Sequence, residues 1–110
     1  MTLRYLKEST KVKNHCNGRL RELLEECFIH VITEPEYREW ELLAVIFFPD
    51  SLLSELKSYE AVFEELSNEL NIWLVLVRAR DVLESKRQIA LNSTNLEEKI
   101  VYLELQRITS

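Results

Sequence analysis

The fold is decided between residues 42 and 79, which read LLAVIFFPDSLLSELKSYEAVFEELSNELNIWLVLVRA. The runs at the beginning and the end of this stretch are apolar on both faces of an extended chain, which is typical of strands in the interior of a sheet. Between them, apolar side chains recur every three or four residues, the spacing of an amphipathic helix. We therefore predict a βαβ unit with parallel strands, formed by strand 38–48, helix 51–70 and strand 72–80.

Upstream of this unit, residues 17–26 have the apolar spacing of a helix, and residues 28–33 are rich in the side chains that favour a strand. The connector 34–37 is short and contains Pro35, so the strand is expected to form an antiparallel hairpin with strand 38–48. Residues 2–12 are ambiguous, because alternation favours a strand there while the leucine spacing also suits a helical turn.

Downstream, Asp81 and Glu84 have the spacing of a capping box, which predicts a helix over residues 82–91. A loop at 92–95 follows. Residues 96–108 fit two structures: the segment is rich in good helix formers, whereas Val101, Leu103 and Leu105 alternate with polar side chains as on a strand. We favour the helix slightly.

These elements predict a single-domain α/β (α+β) protein with a small mixed sheet of three to five strands and helices packed on it. The order is (β)-α-β-β-α-β-α, followed by a last helix or strand. If residues 2–12 form a strand, residues 1–80 have the element order of a ferredoxin-like fold.

The 110 residues carry a net charge of −5, distributed unevenly along the chain. The first 21 residues hold six basic side chains and one acidic side chain, and the rest is strongly acidic. An acidic body disfavours nucleic acid as a partner, because non-specific binding requires neutralisation of the phosphates. No apolar run reaches the length of a membrane span, and no secretory signal precedes the two cysteines, so we expect a cytoplasmic protein with reduced thiols.

The two histidines and two cysteines all lie within 16 residues, at His15, Cys16, Cys27 and His30. A helix over residues 17–26 would separate the two thiols by about 16 Å along its axis, far too much for ligands of one zinc ion. A catalytic cysteine requires an electropositive site, which the pattern does not indicate. We therefore predict no metal and no cofactor.

Glu39 and Glu41 stand two residues apart on one face of the second predicted strand. Paired carboxylates of this kind suit a divalent cation. The layout is similar to that of small nucleotidyltransferase domains, which would imply an enzyme, or a degenerate enzyme, acting on nucleotides or nucleic acid. The glycine-serine loop of those domains is missing, because residues 33–36 read TEPE.

Arg78 and Arg80 are predicted on one face at the carboxyl end of the last strand, beside the helix that begins at Ser51. Ligands of α/β sheets favour this end, and helix N-termini favour anions. These three residues form a candidate anion site, unless the arginines pair with neighbouring carboxylates.

The last segment leaves several apolar side chains to bury. We predict that it forms a homodimer interface across a two-fold axis, since two-fold dimers are the commonest oligomers. The predicted interface residues are Leu96, Ile100, Leu103, Leu105 and Ile108. With no catalytic motif, the leading function is a non-catalytic, self-associating interaction or regulatory module, and the further partner we predict is another protein.

Overall fold

A computed structural model describes residues 10–32 and 42–110 of the chain. Within these residues, three strands form one mixed sheet in the order β1 (Phe28–Ile32), β2 (Leu42–Phe48) and β3 (Ile72–Arg78). β1 pairs antiparallel with β2, and β2 pairs parallel with β3. The predicted α/β class is confirmed, as are both strand orientations. The connector 34–37 and the beginning of strand 38–48 lie outside the described residues.

Helices cover both faces of this sheet. Residues 10–14 are helical, and a 3₁₀ turn at Asp50–Leu52 follows β2. The longer elements are α1 (Gly18–Glu25), α2 (Leu53–Lys57), α3 (Glu60–Leu70), α4 (Ala79–Asn92) and α5 (Leu96–Thr109).

Two separate apolar clusters hold the layers together. On one face of the sheet, fully buried leucines of α1 and α2 pack with Phe63 of α3 against Ile46. On the other face, Leu105 of α5 packs with Phe47 and with α4. Neighbouring residues of β2 thus pack against helices on opposite faces of the sheet, because successive side chains of a strand point to opposite faces. This explains why β2 is apolar on both faces.

The predicted helix 51–70 is interrupted at Ser58 and Tyr59, which separate α2 from α3. The Ser58 hydroxyl donates a hydrogen bond to the Glu55 carbonyl oxygen, and the Tyr59 amide bonds the Leu56 carbonyl three residues earlier. Serine side chains compete with the helical backbone in this way, and the tighter turn ends α2. The prediction of one continuous helix was therefore wrong, although its apolar stripe remains on one side.

The boundary between β3 and α4 also differs from the prediction. The strand ends at Arg78 and α4 begins at Ala79, so Arg80 lies in a helix. Asp81 makes no capping hydrogen bond, and the predicted capping box is wrong. Alanine is the best helix former, and a carboxylate in the first turn favours the helix dipole, so both extend the helix upstream.

The prediction of a strand over residues 2–12 is wrong for residues 10–12, because residues 10–14 are helical. Residues 1–9 lie outside the described residues. β2 and β3 are direct hydrogen-bonded neighbours, whereas a ferredoxin-like sheet places another strand between the two parallel strands of a βαβ unit. The sheet therefore differs from the ferredoxin-like arrangement.

The last segment is a helix, as favoured, and the strand alternative is wrong. The Asn95 side chain caps α5 by accepting a hydrogen bond from the Glu97 amide at 2.8 Å. Glutamates 97 and 98 occupy its first turn and Arg107 its last, and both placements favour the helix dipole. Local capping and charge thus decide between the two structures that the apolar pattern leaves open.

Candidate functional site

The three residues of the candidate anion site converge at the carboxyl ends of β2 and β3. Arg78 is the last residue of β3, Arg80 lies in the first turn of α4, and Ser51 lies in the 3₁₀ turn after β2. The parallel pairing of β2 with β3 brings these segments together, with Phe48 opposite Arg78. This is the edge of an α/β sheet at which ligands are commonly bound.

Asp50 lies between the two arginines. One carboxylate oxygen is 2.8 Å from Nη1 of Arg80, and the other is 3.4 Å from Nε of Arg78. The side chains are exposed to solvent, Arg80 by 74% and Asp50 by 43%, so each ion pair contributes little, on the order of 0.2–1 kcal/mol. A phosphate placed here would face the Asp50 carboxylate as well as the arginines. The arrangement is that of structural ion pairs.

The surrounding cleft has a volume of about 690 Å³ and a mixed charge. Glu25, Glu26 and Asp50 contribute carboxylates, against the guanidinium groups of Arg80 and Arg107. Arg107 is itself 2.7 Å from a carboxylate oxygen of Glu104 on the same helix. Acidic groups therefore outnumber basic ones in the lining, which opposes selection of an anionic ligand.

The carboxylate pair Glu39 and Glu41 lies outside the described residues, and so does the segment that would correspond to the missing glycine-serine loop. The proposed cation site therefore stays a prediction. Among the residues that are described, no three His, Cys, Asp or Glu side chains form a group that could hold a metal ion.

The two cysteines are buried in the core beside α1. The Cys16 thiol donates to the Val12 carbonyl oxygen, and the Cys27 thiol donates to that of Leu23, each four residues earlier. Burial raises the pKa of the Cys16 thiol, and it raises the pKa of Cys27 to about 12. Thiols with raised pKa values are poor nucleophiles and poor metal ligands, so both behave as small apolar core residues.

His30 joins β1 to the beginning of α5. Its Nε2 lies 3.2 Å from a carboxylate oxygen of Glu97, and the ring stacks on Phe28 at a centroid distance of 6.1 Å. Burial lowers the pKa of His30, and the hydrogen bond to Glu97 opposes that shift only in part. A neutral ring donating to a carboxylate fixes the helix on the sheet, which is a structural role.

The predicted interface divides into two faces of α5. Leu105 is fully buried and Ile108 is 8% exposed, so both pack in the core and neither is available to a partner. The other three predicted residues are exposed, Leu96 by 68%, Ile100 by 38% and Leu103 by 60%. They follow one another at spacings of four and three residues and form one stripe on the outer side of the helix. We call these three residues the outer stripe.

Other exposed apolar side chains escaped the sequence analysis. Ile89 and Leu91 on α4 are 43% and 67% exposed, and Trp73 on β3 is 40% exposed. Leu91 follows the buried Ala90 and lies about 100° around the helix from it, away from the buried side of α4. No comparable signal marks Trp73, because its strand is apolar on both faces.

No helix in the described ranges 10–32 and 42–110 combines the length and apolar character needed to cross a bilayer. Neither the shape of the cleft nor the paired arginines identify a reaction. In comparisons with protein-family models, curated proteins and solved structures, none matches this chain.

Proposed function

We propose that the protein is a non-catalytic cytosolic interaction or regulatory module that forms a homodimer through the outer stripe of α5. The observation that carries this proposal is the exposure of Leu96 and Leu103, each more than half accessible to water. Single exposed leucines are common on protein surfaces, but a stripe at helical spacing is the pattern by which helices pair.

The inner face of the same helix supports the assignment of the outer stripe to a partner. Val101, Leu105 and Ile108 already satisfy the packing of α5 on the sheet. The outer stripe is therefore surplus to the fold of one chain. In a two-fold dimer each stripe would meet its own copy, so a single apolar patch is sufficient to form the interface.

The polar residues favour a non-catalytic role over the rival hypothesis, an enzyme or degenerate enzyme acting on nucleotides or nucleic acid. Arg78 and Arg80 already pair with Asp50, and in the lining of the adjoining cleft three carboxylates stand against two guanidinium groups. Both thiols have raised pKa values. The cytosolic location in this proposal rests on the two cysteines, which are free and buried.

Sedimentation equilibrium at micromolar concentration tests the dimer. We expect a dimer that the substitution Leu103→Glu dissociates, because a charge would be buried in an apolar interface. The matched control is Leu91→Glu, the same change at a leucine of similar exposure on α4, and this variant should remain dimeric. Circular dichroism of both variants checks that the fold is retained.

A monomeric parent protein at this concentration would contradict the proposal, as would dissociation by the control alone. The rival hypothesis has its own test, a calorimetric titration with inorganic phosphate. Saturable binding that is lost in Arg80→Ala would favour the nucleotide-directed enzyme over the module.

A further inference from the structure

A groove runs between α3 and the outer edge of β3, on the side of the sheet opposite α5. Its volume is about 420 Å³, within the usual range of binding pockets, roughly 300–1,000 Å³. The floor is apolar and is formed by Ile46, Phe63, Leu74 and Leu76. Its size and apolar floor suit aliphatic side chains of a partner.

The backbone beside this groove lies at the edge of the sheet that the described residues form. β3 is the last strand of the sheet order, and the Leu74 amide donates at 3.3 Å to the Ser67 hydroxyl rather than to β2. Because N–H groups alternate in direction along a strand, the Leu76 amide also points away from β2. Within the described part of the chain, no hydrogen bond to Leu76 is made outside the β2–β3 ladder.

Such an edge selects the conformation of its partner. An extended chain can continue the sheet through backbone hydrogen bonds, while every second side chain enters the adjoining groove. The Ser67 hydroxyl covers the outward amide of Leu74 and does not reach that of Leu76. The Leu76 amide and the groove beside it are thus presented together.

The wall of the groove selects the charge of its partner. Glu60 and Glu64 of α3 are exposed and line it, and among the described residues neither takes part in an ion pair. A second β3 strand would bring two copies of this acidic wall together in a chain of net charge −5. Like charges facing each other disfavour that pairing.

We propose that the edge of β3 and its groove bind an extended basic peptide, in which aliphatic side chains alternate with lysine or arginine, by adding a strand to the sheet. The aliphatic side chains enter the groove, the backbone pairs with Leu76, and the basic side chains face Glu60 and Glu64. This surface is separate from the outer stripe of α5, so a peptide and a second copy can be bound at the same time.

The probe is an acetylated and amidated heptapeptide of alternating lysine and valine, followed by amide NMR of the labelled protein. We expect the Leu76 amide signal to shift and its hydrogen exchange to slow on binding. The same peptide with proline at the central valine, or with glutamate in place of lysine, should not bind. An unshifted Leu76 amide at millimolar peptide overturns the proposal, as does equal binding of the glutamate peptide.

Charge reversal on α3 supplies the matched control. Glu64→Lys should weaken peptide binding about two- to fivefold, the effect of one exposed charge pair. Glu65→Lys makes the same change on the same helix outside the groove lining and should leave affinity unchanged. If both variants weaken peptide binding equally, the proposal that the peptide binds in this groove is overturned. If the amide signal of Leu76 shifts with protein concentration when no peptide is present, a second copy of the chain binds the edge of β3. That result also overturns the proposal.

The two interfaces are distinguished by the variant Leu103→Glu. If the outer stripe forms the dimer, this variant is monomeric and still binds the peptide with the parent affinity. Loss of peptide binding in the folded monomer would contradict the separation of the two surfaces.

Discussion

Leu105 and Leu103 are near neighbours on α5 with opposite environments, and truncating each to alanine measures the direction in which the helix faces. Leu105 is fully buried, whereas Leu103 is 60% exposed. Leucine to alanine removes three carbon atoms, worth about 0.8 kcal/mol each when fully buried, or about 2.4 kcal/mol. The cavity left in a packed core adds to this value, so we expect Leu105→Ala to lower the free energy of unfolding by about 3–5 kcal/mol.

For Leu103, about two fifths of the side chain is out of water, which scales the same transfer value to about 1 kcal/mol. Urea unfolding followed by circular dichroism measures both variants. Each should be unfolded at two protein concentrations, because dimerisation adds a concentration-dependent term to stability. Equal losses for the two variants at the lower concentration, or a larger loss for Leu103→Ala, would refute the orientation of α5.

Three further predictions concern the core and its polar groups. Phe63→Ala should lower the free energy of unfolding, measured in urea, by about 3–5 kcal/mol, because Phe63 is only 6% exposed. The control Val62→Ala should lower it by less than about 1 kcal/mol, because Val62 is 39% exposed. A loss below about 1 kcal/mol for Phe63→Ala would contradict the packing of α3. Since burial lowers the folded pKa of His30, the unfolded chain binds the proton first as pH falls through about 6.5, so stability should decrease there. Unfolding curves from pH 7.5 to 5 measure this dependence, and His30→Gln should flatten it. Circular dichroism should be unchanged by a strong chelator, and loss of structure would revive the zinc hypothesis.

The βαβ unit could be predicted because its strands and helix differ in period. β2 is apolar at every position from residue 42 to residue 48, and only a strand covered on both sides requires this. A strand of this kind requires one helical layer on each face of the sheet. The two apolar clusters have this division.

Local hydrogen bonding shifted the element boundaries. The break at Ser58 arises because its hydroxyl donates a hydrogen bond to the carbonyl oxygen of Glu55. The spacing of apolar residues is the same on both sides of the break, so the sequence pattern does not indicate it. Similarly, Asp81 and Glu84 have the spacing of a capping box, yet the helix begins before them at Ala79. A motif that fits by spacing alone does not specify where the chain leaves the strand.

The sequence did not identify the partner of the two arginines in the candidate anion site. The sequence placed Arg78, Arg80 and Ser51 at one end of the sheet, but it left open whether a ligand or a carboxylate balances the arginines. In the structure Asp50 pairs with both arginines, because the parallel pairing of β2 and β3 brings residues 28 and 30 positions apart into contact.

The sequence by itself determined the class of fold and the parallel and antiparallel pairings, since these follow from the period of apolar side chains along each element and from the lengths of the connections between elements. Only the tertiary structure decided which of two apolar stripes on α5 faces the sheet. Both stripes satisfy helical spacing, and periodicity reports only that a face is apolar. Leu105 and Ile108 are buried because Phe47 and α4 lie opposite them, whereas Leu96, Ile100 and Leu103 lie on the side of the helix that the chain's own layers leave exposed.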